Sequence, residues 1–530
     1  MKIKVISDMV CNNMFKNFPE MNGKSLNISF SPVDQFLPEI INSEGDDFLL
    51  VHLTQYAFNS YFISEKYLIE LRDILDSLQE FINKRKGKVI LNSIYFDFLP
   101  FSQSKSLKNQ ELVFECNNLI FKLAKANPSD VIFVDVAQEI AKFGYLNNLN
   151  TRNYSVMKFP YSKKLSSSIR EKYIFHLQHY FNARKKVVFV DADNTLWGGV
   201  VGEDGFNGVN IGFEYPGYVF YYFQKMLLEL KESGIVLCLI SKNNLEDIEE
   251  IFNKRDMPLS MSDFVEVRCN WNLKSENINE VLQSLNVSSS SAVFIDDSQF
   301  EIEEVSRVHT DLDTIHFDFK SSEDLKKRFS LLKGLYSNFL TDEDLTKTQS
   351  YASQKKRKAM MDSSKSIESY LKNLNIKMKI YLNEKNLIPR ITQLSQKTNQ
   401  FNLTTKRYSE IEIEKLMSDQ KVYAFNVEDK FGNLGIVGVV IIIDNFIETF
   451  LLSCRAFGRK IENQMLVSVV NDLNTFPISG RYIENGKNTV AKDFYELNGF
   501  KAMKKLSNKT DFILTEPFKI KTFIKDIKWV

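Results

Sequence analysis

Four apolar residues, Val187-Val-Phe-Val190, run directly into two carboxylates, Asp191 and Asp193. A short unbroken run of this kind fits a strand buried on both faces, and such strands belong to parallel sheets covered by helices. The acids then stand at the carboxyl end of the strand, where open α/β sheets bind their ligands. Two carboxylates placed this way repel each other, so the pattern implies a cation, and an all-oxygen site suits Mg²⁺. Taken alone, Asp191-Ala-Asp-Asn194 also reads as a polar turn closing a strand.

Two further segments repeat the design. Ile235–Ile240 is an apolar run ending at Ser241-Lys242-Asn243, where a hydroxyl and backbone N–H groups can hold phosphate oxygens. Ser241 equally fits a helix N-cap. Val293-Phe-Ile295 ends at Asp296-Asp297, and adjacent acids after a buried strand are costly unless they bind a metal. Between these segments, Lys274 precedes an amphipathic stretch and can neutralise a nucleophile and a transferring phosphoryl group. A single lysine is ordinarily just solvated; the four elements in order carry the argument.

The rest of the chain sets limits. Its 530 residues fit three or four domains. The 68 Lys and Arg against 67 Asp and Glu leave a net charge of +1, which gives no electrostatic case for nucleic acid or an anionic membrane. Lys355-Lys-Arg-Lys358 reads as a solvated helix face. The five cysteines are odd in number and form no C-x-x-C pair, so neither a disulfide framework nor a zinc site is expected, and a cytoplasmic location is. The opening Met1–Asp8 reads as a first strand rather than a signal peptide. The apolar run around Ile436–Ile443 is too short to span a bilayer and reads as a buried strand.

The fold class expected is α/β, in three folded blocks. Residues 1–182 predict strands at Phe48–Leu53, Lys88–Leu91 and Val131–Val134, with helices over Tyr67–Lys84 and Asn109–Ala126. Strand ends at Ser7-Asp8 and Asn92-Ser93 loosely resemble the SGNH hydrolase fold. Asp135-Val-Ala-Gln138 carries Gln where that fold has its late His, so a non-catalytic domain is expected. Residues 183–320 form a second α/β block and 321–374 a helical connector. Residues 375–530 form an α+β block, with strands at Ile376–Leu382, Val422–Val427, Gly435–Ile443 and Ile447–Ser453 and a helix at Ile461–Leu473.

The order Asp191-x-Asp193-x-Thr195, Ser241, Lys274 and Asp296-Asp297 resembles the haloacid dehalogenase superfamily, whose domain is Rossmann-like. The resemblance implies that Asp191 is a nucleophile forming an aspartyl-phosphate and Asp193 a general acid/base. Thr195 and Ser241, with Lys242 and Asn243, would bind phosphate, and Lys274 would balance charge. Asp191, the Asp193 carbonyl and Asp297 would hold Mg²⁺, with Asp296 close by. The short stretch between Thr195 and Ser241 leaves no room for a large cap, so the site can admit a carrier protein bearing a phosphopantetheine arm.

A closer resemblance is to FkbH-like proteins. It rests on Thr195-Leu-Trp-Gly-Gly-Val-Val-Gly-Glu-Asp204, Asn270-Trp-Asn272, Lys397-Thr-Asn-Gln-Phe-Asn-Leu-Thr404, Asp429-Lys-Phe-Gly432 and Ser453-Cys-Arg-Ala-Phe-Gly-Arg459. It implies a glyceryl transferase/phosphatase that takes a phosphorylated glycerate donor, 1,3-bisphosphoglycerate, and loads glyceryl on the thiol of an acyl carrier protein for polyketide assembly. The family's Cys before Ser-Lys-Asn-Asn is Ile240 here, which leaves Cys238 and Cys454 as candidate thiols, each equally consistent with an inert cysteine. The C-terminal block resembles GNAT acyltransferases. Arg455, Gly458 and Arg459 would take the pantetheine phosphate, and Tyr495 could protonate a departing thiolate; a degenerate domain that recognises pantetheine without catalysis is the equal alternative. Two rival functions stand beside glyceryl transfer: a small-molecule phosphatase, and a scaffold that docks a carrier protein.

Overall fold

Apolar strand runs flanked by amphipathic helices build three sheets in the computed structural model. It describes residues 1–530 except 22, 24, 44, 60–62, 86, 98–100, 183, 286, 331–333, 341–352, 354–355, 358–359, 362, 365, 506–507, 518–522 and 525. The chain divides into two compact units, Met1–Thr348 and Gln349–Val530. No helix among the described residues is long and apolar enough to cross a membrane.

The first unit holds two parallel sheets. In the first, β1 (Lys2–Ser7), β2 (Asn27–Phe30), β3 (Phe48–His52), β4 (Lys88–Asn92) and β5 (Val131–Val134) run in the order 2-1-3-4-5. Alternation along the strands feeds two cores. Leu49, Val51, Val89 and Leu91 pack with the helices Glu65–Arg85 and Gln103–Ala126, while Leu50, Ile90 and Ile132 pack with the helix Lys163–Phe181. The second helix begins six residues before the expected Asn109, because the Ser102 side chain accepts a hydrogen bond from the Lys105 N–H and caps it.

The carboxyl end of this sheet is knitted shut. The Ser7 hydroxyl donates to the His52 carbonyl at 2.9 Å and accepts from the Met9 N–H. The His52 ring lies between the hydroxyls of Tyr173 and Tyr161, and burial lowers its pKa to about 3. Asp135 accepts from Ser93 and from the N–H of Gln138, whose own side chain is exposed.

In the second sheet, β6 (Val187–Val190), β7 (Val236–Ser241), β8 (Phe264–Cys269), β9 (Ala292–Asp296) and β10 (Asp313–His316) are parallel, in the order 10-9-6-7-8. The chain moves outward from β6 to β8 and then returns to the other side of β6 as β9. That reversal opens a crevice at the carboxyl ends of β6 and β9. Between Thr195 and Ser241 stand only the helices Val201–Gly208 and Gly217–Glu232, with no inserted domain.

The second unit is one eight-stranded sheet of β11 (Lys377–Leu382), β12 (Lys421–Asp429), β13 (Gly432–Ile443), β14 (Phe446–Leu452), β15 (Ile478–Ile483), β16 (Lys501–Lys505), β17 (Lys509–Leu514) and β18 (Asp526–Trp529). The order is 16-17-15-14-13-12-11-18. β11 to β14 form an antiparallel meander, and the helix Ile461–Leu473 connects β14 to the parallel β15. Of the expected connector, the helices Ser322–Ser330 and Ile367–Asn373 are seen, and 341–352 lies outside the described residues. Arg357 corrects the reading of its basic run as a solvated face. Its guanidinium is buried and bound two-fold to Asp429, Nε to Oδ2 at 2.7 Å and Nη2 to Oδ1 at 2.8 Å.

Asp8, at the end of β1, gives the first unit a pH dependence. Its Oδ1 accepts from the Thr54 N–H, its Oδ2 is bound to the Thr54 hydroxyl, and burial pushes its carboxyl up to about 7. The folded chain therefore holds a proton that the unfolded chain releases near pH 4. Stability from this group is complete below pH ~4 and falls as pH rises toward 7, by up to about 4 kcal/mol. Asn can make the same two contacts without ionising, so Asp8→Asn is expected to flatten denaturant-measured stability across pH 4–7. A variant with the same pH slope as the parent would contradict this.

Candidate active site

β6 and β9 are adjacent and in register, with Val190 opposite Ile295, so their carboxyl ends deliver Asp191 and Asp296 side by side. Lys274 begins the helix Lys274–Leu285 and reaches between them. Its Nζ lies 2.9 Å from Asp191 Oδ1 and 2.6 Å from Asp296 Oδ2. All three are buried, Lys274 to 4 % exposure. Burial works against the ammonium charge, and Asp191 and Asp296 outweigh it, holding the lysine above its ordinary pKa. Burial and the neighbouring Asp191 charge push Asp296 up to about 7 and raise Asp297 as well.

One ammonium cannot balance this group of acids. Carboxylate oxygens of Asp191, Asp296 and Asp297 lie within 4.8 Å of one another. They offer oxygen ligands only, the donor set of a hard divalent cation. The Thr195 hydroxyl, four residues after Asp191, is fully buried and makes no hydrogen bond. An orphaned buried hydroxyl is a donor free to bond a phosphate oxygen.

The Asp193 side chain stands apart from that acidic cluster. Its Oδ1 accepts from the Trp197 indole N–H at 3.0 Å and from the Val201 N–H at 3.2 Å. Its Oδ2 accepts from the Asn243 amide at 3.0 Å, and the same amide donates to the Ser241 hydroxyl at 3.1 Å. Of the expected phosphate ligands, Ser241 is buried at the end of β7 and Thr195 in the turn that follows β6, and Asn243 ties Ser241 to Asp193. The Lys242 side chain is paired with Glu301, Nζ to Oε1 at 2.6 Å.

Residues that sequence reasoning passed over hold the lysine in place. Glu304 is buried and accepts from both the N–H and the hydroxyl of Ser275, at 3.2 and 2.5 Å, which pins the first turn of the lysine's helix. His309 Nε2 meets the Ser275 carbonyl at 3.0 Å. The only sequence signal was an acid on a buried face of the helix Gln299–Val308. Cys269 was also missed. It pairs with Ser241 across β7 and β8, and burial together with Asp191 pushes its thiol up to about 12.

The other expected positions scatter. Cys238 is buried within β7, and Cys454 is exposed in the second unit. Arg459 is 2 % exposed, and its Nη1 donates to the Arg455 carbonyl at 2.6 Å. Gly458 has φ 75°, the left-handed turn that glycine permits. Tyr495 is fully buried against Phe500 and Phe512, and a Cβ at Gly480 would lie 2.5 Å from its hydroxyl.

No family model and no curated protein matches the chain. Among solved structures, the chain is similar to the N-terminal, phosphatase-domain part of a Bacteroides fragilis protein complexed with Mg, at 21% identity and TM-score 0.49, over 62% of this chain and 92% of that one. It is also similar to a haloacid dehalogenase family enzyme of Bacteroides thetaiotaomicron, complexed with magnesium and inorganic phosphate, at 14% identity and TM-score 0.20, over 26% and 98% of the two chains. A third likeness is to the Escherichia coli ribosomal-protein-S18-alanine N-acetyltransferase, at 11% identity and TM-score 0.21, over 26% and 93%. At these scores the likenesses carry no argument about activity.

The acidic cluster makes a direct prediction. A hard divalent cation added to chelated protein is expected to raise Tm, with a stabilisation of about 2.7 kcal/mol at a hundredfold excess over Kd. Asp297→Asn is expected to weaken that response. A melting curve that ignores every such cation would remove the metal reading.

Proposed function

We propose that the first unit is a Mg²⁺-dependent phosphoryl-transfer enzyme of the haloacid dehalogenase type. The observation that carries this reading is the buried Lys274 ammonium bridging Asp191 and Asp296, with Asp297 beside them. An Asp191 oxygen attacks phosphorus, the bond to the leaving oxygen breaks, and that oxygen keeps the electron pair and takes a proton from Asp193. Thr195 and Ser241 donate to the phosphoryl oxygens, and Lys274 offsets their charge. Asp193, fixed by Trp197 and Asn243, takes a proton from the water that cleaves the aspartyl-phosphate. Asp191, Asp297 and the Asp193 carbonyl would hold Mg²⁺, and the ion when bound supplies positive charge at the transferring phosphoryl group.

The substrate we propose is a phosphorylated glycerate, 1,3-bisphosphoglycerate, and the acceptor the phosphopantetheine thiol of an acyl carrier protein. The thiol sulfur attacks the acyl carbon, the bond to the acyl phosphate oxygen breaks, phosphate leaves with the electron pair, and the thiol proton passes to solvent. The remaining phosphate ester is cleaved through Asp191. A bulky acceptor is supported by the loops at the carboxyl ends of the second sheet. They carry no cap and expose Phe213, Tyr215, Trp271 and Leu273, with Trp271 at 72 %, and Phe300 is exposed in the first turn of the helix Gln299–Val308. Apolar side chains on several loops around one crevice suit a protein partner better than a small, charged phosphate ester. The N-terminal sheet, with Ser7 committed to the backbone, has a scaffold role in this reading.

Incubation of the full chain with Mg²⁺, 1,3-bisphosphoglycerate and a phosphopantetheine-bearing carrier protein is expected to add a glyceryl mass to the carrier and to release phosphate. Asp191→Asn is expected to lower phosphate-ester cleavage at least 10³-fold, on the scale by which loss of a covalent nucleophile acts. Free phosphate without carrier modification would assign the chain as a small-molecule phosphatase. Loss of neither activity in a folded Asp191→Asn protein would exclude the mechanism.

A further inference from the structure

We propose that the acyltransferase-like cleft of the second unit is closed to coenzyme A, and to any pantetheine arm, by a segment of its own chain, Phe401–Thr404. β14 and β15 are parallel but pair only at their starts, Phe446 with Ser479 and Ile447 with Gly480. Beyond that point they part and leave two backbone edges facing a gap. Exposed strand edges of this kind accept an extended, amide-bearing ligand as an added strand. Pantetheine, a linear chain with two amides, has that chemistry, and the loop Ser453–Lys460 follows at the end of β14, where the attached phosphate would lie.

The gap is already filled. The Leu403 N–H donates to the Phe450 carbonyl at 3.1 Å, and the Leu452 N–H donates to the Phe401 carbonyl at 2.9 Å, which sets Asn402 antiparallel to Leu451. On the other edge the Ile483 N–H donates to the Leu403 carbonyl at 2.8 Å. The segment is thus a short strand bonded to both β14 and β15.

Side chains lock it there. The Asn488 amide donates to the Asn402 carbonyl at 3.0 Å and to the Ile483 carbonyl at 2.8 Å. The Thr404 hydroxyl donates to the Glu448 carbonyl at 2.9 Å. Asn402 and Leu403 are fully buried, and Phe401 packs on Phe494 and Phe450.

The remaining parts of a pantetheine site agree. The Arg459 guanidinium is turned into the protein and bonded to the Arg455 carbonyl. Tyr495, the expected proton donor, is sealed in the core. The closure stands whatever the first unit catalyses. Only its corollary, that thiol chemistry is served by the Asp191 crevice, rests on the proposed function.

Hydrogen exchange on the full chain, with and without coenzyme A at about 1 mM, tests the closure, since that concentration populates even weak complexes. The amides of Leu403, Leu452 and Ile483 are expected to exchange slowly and to be unchanged by coenzyme A. Coenzyme A that binds without altering them binds outside the cleft, which supports the closure. Fast exchange at these three amides, or exchange at Phe450–Leu452 that slows only with coenzyme A, would overturn it.

Discussion

Everything distinctive about the first unit depends on one buried ammonium. Lys274 sits between two carboxylates that no water reaches freely, and each partner is costly to bury without the others. The parallel pairing of β6 with β9 brings the two acids together, and the start of a helix brings the lysine. That helix start is anchored by Ser275 on Glu304, and the same turn is steadied by the paired amides of Asn270 and Asn277. Such an arrangement is weak evidence for stability and strong evidence for chemistry, because apolar residues of the same volume would fold as well.

The same crevice gives two nearby acids different surroundings. Asp191 faces an ammonium and other carboxylates. Asp193, two residues later, is held by an indole N–H, a backbone N–H and an amide, away from that cluster. Asn194 makes the division possible. It adopts a left-handed φ of 51°, which asparagine tolerates, and its side chain accepts from the Gly199 N–H.

Much of this was legible in the sequence where one strand carries the signal. Apolar runs ending in acids located β6 and β9, and the seryl end located β7. β8 escaped because it is an edge strand that carries Glu266 and Arg268, paired at 2.7 Å, so its apolar pattern is broken by charge. Side-chain direction escaped for a different reason. Lys242 meets Glu301, Arg357 meets Asp429, and Arg459 turns inward, and each is a long-range pairing or packing choice that local spacing does not encode. The Lys397–Thr404 motif was visible, but its use as a strand between β14 and β15 is a property of the assembled sheet.

The proposed mechanism requires an Asp191 carboxylate oxygen as the atom that receives phosphate. The full chain given a small phosphate ester and Mg²⁺, quenched in acid, reduced with borohydride and digested, can be read by mass spectrometry. An aspartyl-phosphate at this position is reduced to homoserine, and that conversion is expected at residue 191 alone and only when substrate was present. Phosphate release with residue 191 unmodified, or an adduct on any other residue, would contradict it.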